Sequence, residues 1–316
     1  MSKSFGRILL LLLFVHSAAF AQKKVALQLN LKKGDVFPLE EVNEQVITQT
    51  IMNMEQRVQQ NFTTGYSFNI TDVNAAGNYL ADVEYLYIAV DNSVMGQSIA
   101  WDSRTGEEPD QNTLAFKAIP GTVINMEFTP EGKVLYVKGM DKMIDNMLKQ
   151  YENLGEAQKE QVRANLGQTF NNEFMQATME RMLSVYPDEK VGEGDTWTRN
   201  QQLKAGYLDM AVDVNFEVTE VSKKEVVMNI TSEMASNPEK LIETMGMGMP
   251  MSMKMDMKGN TSGKSAIDRK TGWIISNQTT QDFSGQVTLV EGPDMLKGQS
   301  WPMEITSSYS VKKIEL

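Results

Sequence analysis

The sequence predicts an α+β protein in which two antiparallel β-sheet units, half-barrel-like and related by a degenerate duplication, flank a helical hairpin. Three observations predict it. Apolar and polar residues alternate with period two through long stretches in both halves. The period changes to that of a helix in the middle of the chain. Short motifs recur in the same order before and after that change. The expected divisions are a signal peptide over 1–21, a first β-unit over 22–138, a helical segment over 139–188 and a second β-unit over 189–316.

The N-terminus carries Lys3 and Arg7, then the apolar run Ile8–Val15, then small residues ending Ala19-Phe20-Ala21 before Gln22. That order predicts export and cleavage after Ala21. The run is shorter than the ~20 apolar residues a bilayer needs, and no Cys marks a lipid-anchoring site. The expected product is a soluble periplasmic or extracellular protein, not an integral membrane protein.

In the first half, Tyr66, Phe68 and Ile70 alternate with Ser67, Asn69 and Thr71. Ala81, Val83, Tyr85 and Tyr87 follow as the partner strand. Thr122, Ile124, Met126 and Phe128 lead through Pro130-Glu131-Gly132 into Val134–Val137, which reads as a hairpin. Val42–Met54 fits either a strand or a helix. Next, Met140, Met143, Ile144, Met147, Leu148 and Tyr151 fall on one helical face. Val162, Leu166, Phe170 and Phe174 recur every four residues. Roughly 140–154 and 157–184 form a helical hairpin, or a helix with a break near Gly167, and Pro187 stops it. In the second half Leu208, Met210, Val212, Val214, Phe216 and Val218 alternate with mostly polar residues, and Val226, Met228 and Ile230 repeat the pattern.

The recurring motifs are Gly34-Asp35-Val36-Phe37 with Gly194-Asp195-Thr196-Trp197, and Phe68–Val73 with Phe216–Val221. The turn at Pro130–Val134 has a looser counterpart at Arg269–Trp273.

Composition excludes several chemistries. The chain has no Cys, and its one His is His16, inside the leader. Without imidazole or thiol there is no Ser-His-Asp or Cys-His nucleophile and no ordinary zinc site. No phosphate-binding glycine motif is present. The net charge of −11 disfavours nucleic acid and anionic membrane as partners. The expectation is a non-enzymatic protein without cofactor.

Ile99–Ser103, Phe128–Val134, Val137–Asp141, Gly194–Trp197 and Asp268–Gly272 together resemble a secreted bacterial family, the domain-of-unknown-function 6263 family. The resemblance covers nearly the whole mature chain. It implies export and a duplicated β-rich fold, and it implies no reaction or catalytic residues. The element order is also similar to the half-barrels of lipoprotein carriers, in which a curved sheet wraps a helix over an apolar cavity.

One segment stands apart. Met245, Met247, Met249, Met251, Met253, Met255 and Met257 alternate without a gap. Gly246, Gly248 and Pro250 make the first part read as a loop, and Met251–Met257 as a strand with a thioether face. Three roles fit. The face packs a core, since Met fills irregular gaps. Met251, Met253, Met255 and Met257 line a site for a lipid or other hydrophobic ligand, or for an envelope protein partner. Or Met245, Met247, Met249, Met251, Met253 and Met255 hold a soft ion, Cu(I) or Ag(I).

Overall fold

The computed structural model describes residues 24–94, 96–151, 154–205, 208–246 and 249–316. The expected signal peptide lies outside them. Among the described residues thirteen strands fall in chain order: β1 Val36–Ile51, β2 Met54–Val73, β3 Tyr79–Val94, β4 Gln97–Asp102, β5 Val123–Phe128 and β6 Val134–Lys138; then β7 Thr196–Ala205, β8 Leu208–Val221, β9 Glu225–Ala235, β10 Leu241–Gly246, β11 Met249–Asp268, β12 Ile274–Glu291 and β13 Ser300–Lys313. Helices α1 Met140–Lys149, α2 Glu156–Thr169 and α3 Asn172–Leu183 connect β6 to β7.

The expectation of two sheet units in an α+β protein is overturned. All thirteen strands form one antiparallel sheet, ordered β6-β5-β3-β2-β1-β13-β12-β11-β9-β8-β7, with β4 beside β3 and β10 beside β11. The protein is mostly β. The physical reason is the last strand. β13 pairs with β1 over eleven residues, Leu39↔Lys313 to Gln49↔Met303, and so fuses the two halves edge to edge. Such pairing between chain ends leaves no local sequence signal.

The sheet is open but strongly curved. The Phe128 ring, near one end of the strand order, lies 6.5 Å from Trp273, which opens β12 on the far side of the junction. Gly259 and Gly263 of β11 and Gly285 of β12 face the inside of the curve, where any Cβ would collide with the neighbouring strand's backbone. Only glycine permits that bend. Helix α3 sits between the two outermost strands. The Gln176 side chain donates to the Val134 carbonyl of β6 (2.9 Å), and the Gln201 side chain of β7 donates to Ser184 at the helix end (3.1 Å). These contacts cover edges that would otherwise be open to pairing.

The halves also clasp each other. Gly132, in the turn after β5, has φ +82°, and a Cβ there would strike the Leu183 carbonyl that leads into the second half. Gly272, in the turn before β12, has φ +71°, and a Cβ would strike the Gln28 carbonyl that leads into the first. Leu29 N donates to Pro130 O and Asn30 N to Thr271 O, so the segment before β1 is held by both turns. The paired Gly-Asp starts make matching bonds within this one sheet: Gly34 N to Ile70 O and Gly194 N to Val218 O, both 2.8 Å.

Other elements also differ in detail from the sequence reading. Val42–Met54, ambiguous in sequence, is mostly strand β1 and its hairpin. The helical stretch over 157–184 divides at Asn171, whose side chain caps α3 by accepting from Phe174 N (2.7 Å). α3 ends at Leu183, ahead of Pro187. The region around Met245–Pro250 is a hairpin rather than a loop, with Met245↔Pro250 and Gly246↔Met249 paired; its tip, Met247 and Gly248, lies outside the described residues.

Candidate functional site

Strand register assigns each side chain to one face of the curve. On the concave face two apolar clusters form. The lower one holds Phe68, Val83, Phe128, Phe216, Met228, Ile267 and Trp273, and α1 and α3 pack into it through Met140, Met143, Met147, Met179 and Leu183. Val25, Leu27, Leu29 and Leu31 close its base. The upper one comprises Val212, Met234, Met255, Met257, Phe283, Val287, Leu289 and Trp301, fringed by half-buried Ile51, Ile242, Met251, Met253, Leu296, Met303 and Ile305. No member of the upper cluster belongs to a helix.

The methionine run is therefore split. Met257 (1% exposed) and Met255 (7%) are buried among Phe283, Val287, Leu289 and Trp301. Met251 and Met253 are half-buried at the fringe. Met247 and the side chains of Met245 and Met249 lie outside the described residues, so of the residues proposed for a soft ion only Met251, Met253 and Met255 are placed. Their neighbours are hydrocarbon and indole side chains, the composition of a packing surface.

Between the clusters the concave face turns polar. Pairing places Gln60, Gln45, Ser307, Gln281, Thr261 and Ser232 side by side across β2, β1, β13, β12, β11 and β9. Ser307 donates to Gln281 (3.2 Å), Gln281 donates to Thr261 (3.2 Å), and Thr261 donates to the Met234 sulfur (3.9 Å). Asn43, one step lower, faces the same space, and its side chain is exposed. An exposed residue on the inner face means that solvent reaches inside the curve.

Beneath this band Glu41 lies among aromatic groups. Tyr309 Oη donates to its carboxylate (3.4 Å), and the Arg181 guanidinium of α3 stands 5.9 Å from the Tyr309 ring. Burial raises the Glu41 carboxyl above its ordinary range, against the pull of Arg181 and Tyr309. Burial and then the Glu41 charge push the Tyr66 and Tyr85 phenols upward as well. Adjacent Glu40 points to the convex side and behaves oppositely. Lys312 (2.8 Å) and Tyr87 (2.9 Å) bond its carboxylate and hold it low.

Two cavities are formed elsewhere. One, of about 440 Å³, runs over Trp197, Asn215, Phe216, Thr231 and Gly263 on β7 to β11. The other, of about 260 Å³, lies between α3 and β7 beside Glu180, Arg181 and Gln201. The methionine run lines neither. Among the described residues, no group of three or more His, Cys, Asp or Glu is placed to hold a metal ion, and no helix is long and apolar enough to cross a membrane.

Sequence reasoning missed the polar band and Glu41. Only the mixed composition of Val42–Met54 signalled them, since a strand with polar residues on both faces loses its alternation.

A curved, open antiparallel sheet with a helix-covered lower core and an upper apolar cluster with a half-buried fringe defines the architecture. The chain belongs to DUF6263, a family of unknown function, whose model matches residues 76–274. No curated protein matches it. Among solved structures it is similar to lipovitellin, in a structure concerned with lipid–protein interactions in that protein, at 10% identity and a TM-score of 0.48; the match covers 90% of this chain and 26% of that one. It is more distantly similar to an outer membrane channel from Pseudomonas putida F1, at 8% identity and a TM-score of 0.24 over 90% and 97% of the two chains. Neither likeness defines the function of this chain.

Proposed function

We propose that this is an exported, non-enzymatic binding protein that takes an apolar or amphiphilic ligand against the upper concave face of its sheet. One observation carries the reading. The upper cluster is a sheet face whose fringe, Met251, Met253, Met303 and Ile305, is half-buried, and among the described residues no helix contributes to it. An apolar sheet face is stable when a second layer covers it, and the lower half of the same face has that layer. Methionine suits a surface that repacks around varied hydrocarbon. Binding rather than turnover follows from the residue inventory, since imidazole and thiol are absent beyond the leader. Export follows from the leader itself.

Native mass spectrometry of the purified protein, before and after organic extraction, tests the reading. The expected result is an added mass that extraction removes and that returns on incubation with lipid. A protein that carries no ligand and takes up no fluorescent apolar probe such as N-phenyl-1-naphthylamine would instead be an interaction protein with a closed core.

A further inference from the structure

We infer that the ligand is a neutral amphiphile, with an uncharged, hydroxyl-bearing head in the amide band and its hydrocarbon along the methionine wall. This rests on the binding function proposed above and adds the chemistry of the head.

Register sets six uncharged hydrogen-bonding residues in one row across six adjacent strands, on the inside of the curve: Gln60, Gln45, Ser307, Gln281, Thr261 and Ser232. Ser307, Gln281 and Thr261 bond one another. The Gln45 and Gln60 side chains are half-buried and have no hydrogen-bond partner among the described residues. These amides reach the solvent inside the curve, where a ligand group can take the place of water on them. A primary amide both donates and accepts, which matches a hydroxyl.

Charge narrows the class. Arg199 bonds Asp188 (2.8 Å) and the Tyr186 carbonyl (2.7 Å), and the charge of Arg181, which stands over the Tyr309 ring, is already set against that of Glu41. A phosphate or carboxylate head in the band would meet the charge of Glu41, and the Arg181 charge beside it is already set against that carboxylate. Immediately above the band stand Ile47, Ile305 and Phe283, with Met257 one step further, where hydrocarbon belongs. Polar row and apolar wall thus match the two parts of one molecule.

The test measures three probes on the purified protein by fluorescence displacement and calorimetry: 1-monopalmitoylglycerol, palmitate at pH 8, and N-phenyl-1-naphthylamine, which has no hydroxyl. The expected result is that monopalmitoylglycerol binds at least about tenfold tighter than palmitate. Changing Gln45→Leu and Gln60→Leu together should erase that preference and leave naphthylamine affinity unchanged, which also shows that the variant is folded. If the double variant loses naphthylamine binding, the volume-conserving Gln60→Met variant is read in its place. Equal or tighter palmitate binding, or a preference that survives the substitutions, overturns the head-group assignment and leaves the apolar site standing. A wild-type protein that binds no naphthylamine overturns the binding function itself, and this inference with it.

Discussion

Below the amide band the concave face is filled: α1, α3 and the extended segment Val25–Leu31 press onto it, and Phe68, Val83 and Phe128 are fully buried. Above the band the same strands carry Met, Ile and Trp to which no helix among the described residues contributes, and Met251, Met253, Met303 and Ile305 remain half-buried. Both surfaces are apolar, so hydrophobicity does not distinguish them. Coverage does. The lower region is held under helices, and the half-buried fringe of the upper one is where the proposed ligand would rest.

Substitutions should expose that division. Phe128→Ala, in the filled region, should lower unfolding free energy by about 3–5 kcal/mol in urea titration, because α1 and the strands around it cannot all collapse onto the void. Met257→Ala, in the upper cluster, should cost about 2 kcal/mol, the low end for Met→Ala, since the flexible half-buried methionines at the fringe of the cluster can close over the void. A cost as large as that of Phe128→Ala would show the upper cluster to be equally packed. Gly272→Ala tests the clasp between the halves. Its positive φ and the Gln28 carbonyl both oppose a side chain, and a loss of about 1–3 kcal/mol is expected in the same titration. Met251→Ser should change stability by less than about 1 kcal/mol yet weaken naphthylamine binding measurably.

Glu40 and Glu41 sharpen the contrast between the two faces. The folded Glu40 carboxyl sits below the reference value of 4.5, chiefly because Lys312 bonds it. Its contribution to stability is present above pH 4.5 and is lost as pH falls through the folded value. The folded Glu41 carboxyl sits above 4.5, chiefly because it is buried. Stability is therefore not reduced by it below pH 4.5, and is lost as pH rises through the folded value. Glu41→Gln should raise the urea midpoint at pH 7 and leave it unchanged at pH 4, whereas Glu40→Gln should lower it at pH 7 and have little effect well below pH 4. Identical pH responses for the two variants would show that the carboxyls share one environment.

Strands with one polar and one apolar face were legible in the sequence. Phe216-Glu217-Val218 and Val226–Ile230 announce themselves by alternation, and Met140–Leu148 by its helical stripe. The strand β1 was not, because its concave residues Glu41, Asn43, Gln45 and Gln49 are as polar as its convex ones. The binary pattern that identifies a strand disappears where the inner face lines a polar space. The amide band lies in that blind spot, and Gln281 and Ser307 read in isolation as ordinary surface residues.

The sequence by itself determined the local elements, the expected leader, the missing nucleophiles and the thioether face of Met251–Met257, because each of these is written in nearby residues. Only the tertiary structure decided that the halves form one sheet, since β13 meets β1 across almost the full length of the chain. It also decided which apolar strand face is packed under helices and which has a half-buried fringe. Whether a buried surface has a second layer depends on where helices from another part of the chain come to rest, and periodicity along a strand carries no record of that.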